Sequence, residues 1–253
     1  MSIDLRKKAE EKLIDLSKKA TITLSKKGLN GVTARVGLAL DISASMTNLY
    51  KRGTVQAVTE QTLALGMNFD DNQAADVFLF GVKDYTVGEI QKENFYEFVN
   101  REIYSKYELE GGTRYSGVIR RIVEYYFPGA FTTKKSGFLG LKSERIVDTS
   151  KYQHQEPVYI IFITDGNCQD YAETKDIITL ASRLGVFFQF VGVGDEQFTF
   201  LKELDDMEGR FIDNANFFQV RDMGTLSDGE LYDSLLAEFP AWLKEARSKS
   251  IIK

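Results

Sequence analysis

Residues 34–45 read Ala34-Arg35-Val36-Gly37-Leu38-Ala39-Leu40-Asp41-Ile42-Ser43-Ala44-Ser45. The first seven form a short, mostly apolar run whose length and flanks fit a buried strand. A carboxylate and two hydroxyls follow at every second position, on what reads as a turn. Hard oxygen donors in this pattern suit a hard cation such as Mg2+. Two neutral hydroxyls do not hold a metal unaided, so further oxygens must arrive from elsewhere. The candidates are Thr113, in Glu110-Gly111-Gly112-Thr113, and Asp165, in Ile160-Ile161-Phe162-Ile163-Thr164-Asp165-Gly166. Asp165 also stands just past an apolar run.

Outward from this stretch, apolar runs alternate with helical patterns. Residues 76–80, 158–164, 186–193 and 216–220 read as strands. The 158–164 run is apolar on both faces, as in the centre of a parallel sheet. Residues 84–87 follow 76–80 after a link too short for a parallel crossover, which predicts an antiparallel edge strand. Helices are expected at 54–67, 94–107, 115–127, 170–184 and 198–204. Ser227-Asp228-Gly229-Glu230 has capping-box spacing and opens a last helix, which Pro240 should break or kink before it continues through 241–248. This alternation implies a doubly wound α/β fold, with a mostly parallel sheet and helices on both faces. In such sheets ligands bind beyond the carboxyl ends of the strands, where strand order reverses. Asp41 and Asp165 both fall at such ends.

Leu5, Ala9, Leu13, Leu16, Ala20 and Leu24 make one apolar stripe along a helical N-terminus. The organisation expected is a helical extension over 1–30 and a single domain over 31–253. That domain would carry an irregular insertion at 128–156 and C-terminal helices at 227–249. The 253 residues include one cysteine, Cys168, so no internal disulfide forms and a cytoplasmic location fits. No run of apolar residues is long enough to span a membrane, and the N-terminus lacks a signal-peptide core. A net charge of -5 argues against nucleic-acid binding. Residues 1–27 nevertheless carry +4. Their stripe therefore has two readings: docking on the domain itself, or recruitment to a membrane surface or partner.

Asp41-x-Ser43-x-Ser45, then Thr113 after glycines, then Thr164-Asp165-Gly166 after a strand, resembles the metal-ion-dependent adhesion site of von Willebrand factor A (vWA) domains. The chain resembles most narrowly the TerF-type vWA domain, associated in bacteria with tellurite-resistance gene clusters. Residues 187–194, 209–218 and 238–243 carry the likeness further, and it covers nearly the whole chain. Ala44 departs from the glycine usual in the family; both are small. The resemblance implies six strands in the order 3-2-1-4-5-6. It also implies hydroxyl ligation by Ser43, Ser45 and Thr113, with Asp41 and Asp165 close by, one or both acting through water. The open coordination position would take a carboxylate from a protein partner, such as another tellurite-resistance protein, in a stress-resistance complex. Mg2+ is the expected cation; Ca2+ or Mn2+ would also accept these donors.

Lys51, Arg52 and Arg114 are candidates for a basic rim that steers an acidic partner, the alternative being solvated surface charge. Asp195 and Glu196 follow a strand on the same side and read as a polar turn or rim acids. Cys168, expected in a surface loop, has no nearby basic residue to make a thiolate, and His154 reads as exposed and idle. A metal-dependent phosphohydrolase is the rival function. Enzymes with a nucleophilic Asp after the first strand need a second Asp two positions on, where this chain has Ser43. No phosphate loop, nucleophile elbow or His/Cys zinc pattern is present, so the expectation is a binding module and not an enzyme.

Overall fold

The apolar run at 34–40 becomes β1 (Arg35–Asp41), with a parallel strand on each side. The computed structural model describes residues 2–136, 142–222 and 225–253. On one side of β1 lie β2 (Ala75–Phe80) and then β3 (Asp84–Ile90). Between β3 and the second half of the sheet the chain forms a separate hairpin of β4 (Phe131–Ser136) and β5 (Lys142–Val147). On the other side of β1 come β6 (Val158–Thr164), β7 (Val186–Val193) and β8 (Ala215–Val220). The sheet order is β3-β2-β1-β6-β7-β8, with β3 the antiparallel edge. Counting only the strands of this sheet, that is the order the resemblance implied.

Successive side chains of a strand point to opposite faces, so each central strand feeds two cores. Val36, Leu38, Leu40, Ile161 and Ile163 pack with α1 (Ser2–Lys26), α3 (Thr54–Phe69), α7 (Asp228–Leu235) and α8 (Phe239–Ser248). Ala39, Phe78, Phe80, Ile160 and Phe162 pack with α4 (Ser116–Tyr126), α5 (Tyr171–Ala181) and α6 (Thr199–Asp205). The short α2 (Thr47–Lys51) leads from the serine loop into α3.

The stripe on α1 is used within the fold. Leu13, Leu16, Ala20 and Leu24 are buried, and the helix packs against α3 and α7. Lys12 pairs with Glu60 of α3 at 2.9 Å, and Lys19 with Asp228 of α7 at 2.8 Å.

Three local expectations change. Residues 94–107 do not form one helix: Glu97 takes a left-handed φ of 52°, and only the π-helical turn Val99–Tyr104 follows. The 128–156 stretch is not irregular throughout, because it contains the β4–β5 hairpin; residues 137–141 lie outside the described residues. The hairpin's sequence shows no alternation because Phe131 and Val147, paired at its base, are what it packs on the core. The C-terminal helices separate before Pro240: α7 ends at Leu235, and Pro240 occupies the first turn of α8, where a missing N–H costs nothing. The capping box at Ser227 and Glu230 forms as its spacing indicated.

Gly66 of α3 supplies a test of this packing. A Cβ there would stand 2.2 Å from the Ala74 carbonyl oxygen and 2.9 Å from its carbon. Helix propensity alone would make Gly66→Ala stabilising by about 1 kcal/mol. Overpacking against backbone reverses the sign, and a net loss of about 1–3 kcal/mol is expected. Urea denaturation of the variant measures it; a gain in stability would contradict the close approach of α3 to the segment entering β2.

Candidate metal centre

The rim of the sheet is assembled by pairing β1 with β6. Their register matches Leu40 with Ile163, so Asp41 and the Thr164-Asp165 pair emerge side by side. Asp41 is fully buried. Its Oδ1 accepts the Ser43 N–H at 2.6 Å, and its Oδ2 accepts the Thr164 hydroxyl at 2.6 Å. The Asp41 carbonyl accepts the Tyr50 hydroxyl at 3.0 Å, which holds the loop down from the α2 side.

Ser43 and Ser45 present their hydroxyls on one side of the turn, 3.0 Å apart. The Ser45 hydroxyl donates to Asp165 Oδ1 at 2.8 Å, across 120 residues of chain. Three of the five oxygen-bearing side chains read from the sequence thus form a continuous run, with Asp41 behind Ser43. Thr113 is buried, on a loop that is fastened at several points, two of them on the serine turn. Glu110 N–H donates to Ile42 at 2.7 Å, and the Glu110 carbonyl accepts the Ala44 N–H at 2.8 Å. The Thr113 carbonyl accepts the Gln169 N–H at 2.9 Å, and the Arg114 N–H donates to Gly81 at 2.8 Å.

The electrostatics suit a cation. Burial pushes the Asp41 carboxyl up to about 6, against hydrogen bonds from Thr164 and Ser43, and the charge of Asp165 adds to the push. Asp165 is also raised, first by burial and further by Glu196, while the Ser45 hydroxyl opposes the shift. Among the described residues no group of three or more His, Cys, Asp or Glu gathers into a metal-holding cluster. A cage of anions or soft ligands is therefore not what this rim offers. Its donors are hydroxyls backed by carboxylates, a set that fits a hard divalent ion which keeps some of its waters.

The other residues singled out from sequence fall as follows. Lys51 and Arg52 are exposed at the end of α2. Arg114 is half-exposed, with its Nε 3.8 Å from Asp170. Asp195 pairs on the surface with Arg221 at 3.2 Å, whereas the charge of Glu196 is felt at Asp165. His154 is exposed. Cys168 is buried rather than in a surface loop, and burial pushes its thiol up to about 12, far from a thiolate.

Sequence reasoning named no role for Thr164, Glu110, Tyr115 or Asp170. Thr164 was visible in the Thr-Asp-Gly run. Tyr115 donates to the Gly166 carbonyl at 2.6 Å, which ties the Asp165 turn to α4. Asp170 accepts the N–H groups of Tyr115 and Ser116 at 3.0 and 2.9 Å and so caps α4 from a distant loop. No local spacing announces a cap donated from 54 residues away.

Comparison with known proteins now bears on this geometry. The family described as "vWA-TerF-like: vWA found in TerF C terminus" matches residues 33–134 and 142–252. The chain belongs to the TerF-like vWA family. The uncharacterized protein YcbR of Bacillus subtilis (strain 168) is 41% identical over 243 residues, covering 95% of this chain and 90% of that protein. Proximal thread matrix protein 1 from the mussel byssus aligns with a TM-score of 0.53 and 16% identity, over 81% of this chain and 47% of that one. A von Willebrand factor type A structure from Catenulispora acidiphila aligns with a TM-score of 0.50 and 15% identity, over 87% of this chain and 43% of that one. The chain spans about half the length, or less, of these solved structures. At such identities they speak for the vWA fold alone. Among the described residues no helix is long and apolar enough to cross a membrane.

Asp170 gives this vWA domain a pH-dependent brace. Burial opposes its ionisation, but the Ser116 side chain and the two α4 amides prevail and hold its carboxyl below the usual value. A depressed carboxylate stabilises the fold above the unfolded value of about 3.9, and the stabilisation is lost as pH falls through the folded value. Asp170→Asn should therefore cost about 1–2 kcal/mol at neutral pH, in keeping with a lost cap. It should also lose less on acidification below about pH 4 than the wild type does. Thermal melts across that range check both; parallel curves for the two proteins would contradict the brace.

Proposed function

We propose that this chain is a metal-ion-dependent protein-binding module. Ser43, Ser45 and Thr113 would hold a divalent cation through hydroxyl oxygen, with Asp41 and Asp165 close behind. The observation that carries the reading is the unbroken Ser43–Ser45–Asp165 run, at 3.0 and 2.8 Å, between segments 120 residues apart. Few anions stand directly on this run. A cation held there keeps residual charge, and an external carboxylate is the natural complement. Mg2+ is proposed because every donor is a hard oxygen. Ca2+ and Mn2+ are the alternatives a titration separates. The partner is a protein offering an acidic residue. Family membership supports a setting in bacterial tellurite or general stress resistance, with another protein of that system as partner. Lys51, Arg52 and Arg114 would form the basic rim that draws an acidic surface in.

The module is proposed to bind without turnover. Asp41, the residue a phosphohydrolase would use as nucleophile, is fully buried and has both oxygens engaged by Ser43 and Thr164. Ser43 stands where such an enzyme needs its acid.

The chain immobilised in Mg2+ is expected to capture an acidic partner from its native lysate. Capture should be lost in EDTA and in Ser45→Ala. Calorimetric titration of the same proteins with Mg2+ should show one site in the wild type and at least tenfold weaker binding in Ser45→Ala, in the range set by ligand-shell changes of about 10–100-fold. Capture that survives EDTA and Ser45→Ala alike would refute metal-bridged docking. Hydrolysis of a generic phosphate ester that vanishes in Asp41→Asn would establish the enzymatic alternative.

A further inference from the structure

Glu110 precedes the Gly111-Gly112-Thr113 run, and its carboxylate is bonded to the β2–β3 hairpin. Oε2 accepts the Lys83 N–H at 2.8 Å, and Oε1 accepts the Tyr85 hydroxyl at 2.6 Å. Both partners belong to the β2–β3 hairpin: Lys83 in its turn, Tyr85 on the edge strand. The same residue's backbone bonds Ile42 and Ala44 on either side of Ser43, making an isolated parallel bridge with it. One residue therefore joins three segments: the serine loop, the loop that carries Thr113, and the edge hairpin.

The fit is close. A Cβ on Gly81 would stand 2.6 Å from Glu110 Oε2, so the carboxylate fills the space that a side chain at that turn would need. Downstream, Gly111 has nothing within 4 Å of where a Cβ would stand. Gly111 leaves the chain after Glu110 wide backbone freedom, whereas Gly112 is close-packed, a Cβ there standing 3.2 Å from both Gln169 and Val82. Where Thr113 stands then depends on how firmly its loop is fastened at the ends, and Glu110 is the upstream fastening. Hydrogen bonds to an ionised acceptor are about twice as strong as neutral ones, which suits a carboxylate to this role.

We propose that Glu110 is a positioning residue of the metal centre. It locks the Thr113 loop and the Asp41–Ser45 turn to the edge hairpin, and so sets the separation of Thr113 from the two serines. Ligand-orienting groups outside a metal's own shell change affinity by about 10–100-fold when removed. The proposal rests on the metal-binding reading above and goes beyond it, because Glu110 touches no expected ligand atom through its side chain.

The test is calorimetric titration of the full chain with Mn2+, in wild type, Glu110→Ala, Tyr85→Phe, the Glu110→Ala/Tyr85→Phe pair and a Ser43→Ala/Ser45→Ala control. Glu110→Ala is expected to weaken Mn2+ about tenfold. Tyr85→Phe removes one of the two bonds on the carboxylate and should weaken Mn2+ about threefold, a smaller part of the same range. In the Glu110→Ala background Tyr85→Phe should change nothing, because two sites that act through one contact are not additive. A general loss of stability would not produce that dependence. Glu110→Ala within twofold of wild type, or Tyr85→Phe acting equally in both backgrounds, overturns the proposal while the serine control still loses binding. If Glu110→Ala does not fold, an unchanged Mn2+ affinity in Tyr85→Phe alone overturns it. Absence of Mn2+ binding by the wild type removes the metal centre itself, a different failure from a wild type that binds and a Glu110 variant that binds equally well.

Discussion

The parallel pairing of β1 with β6 is the constraint on which the rest of the site depends. From β1 the chain moves outward to β2 on one side, and from β6 it moves outward to β7 on the other. Strand order reverses between them, and the loops that leave the two strands part company, the arrangement beside which open α/β sheets bind ligands. Register then does the chemistry's positioning. With Leu40 opposite Ile163, the next residues are Asp41 on one strand and Thr164 on its neighbour, and a 2.6 Å bond joins their side chains. A slip of one residue would turn each of these side chains to the other face of the sheet.

The carboxylates of the rim divide by task. Asp41 is buried and braces the serine loop from behind, while Asp165 reaches Ser45 from the side. Asp170 and Glu110 stand farther out and hold backbone. The first fixes the start of α4, the second fastens the Thr113 loop to the edge hairpin. Burial raises both Asp41 and Asp165, and among the described residues no compact cluster of acids forms.

The opposite concern, stability, is met largely away from the rim. The stripe of α1 adds to the core beside α3 and α7, and the ion pairs of Lys12 and Lys19 tie it to both helices. Since α3 follows the serine loop through α2, a helix at the N-terminus supports the scaffold on which that loop is built. Both lysines stand half in solvent while their acidic partners are more covered; ion pairs that reach the surface contribute about 0–1 kcal/mol each, so the buried leucines carry most of the attachment.

Much of the architecture was legible in the residues. Apolar runs bounded by turns marked β1, β6 and β7, the short link after residue 80 marked an antiparallel edge, and the Ser227–Glu230 spacing marked a helix start. These signals are local, and local physics suffices to read them. The stretches that misled were those where local pattern and tertiary demand part. A left-handed Glu97 broke an otherwise helical run, and a hairpin that packs Phe131 and Val147 on the core showed no alternation. At the site, oxygen chemistry and chain order pointed to Asp41, Ser43, Ser45, Thr113 and Asp165, but adjacency of their strands came only from a family likeness. The folded chain alone revealed the supporting groups. Thr164 on Asp41, Asp170 on α4 and Glu110 on the edge hairpin act between segments from 27 to 123 residues apart. No periodicity spans such distances, because those contacts exist only once the sheet has paired.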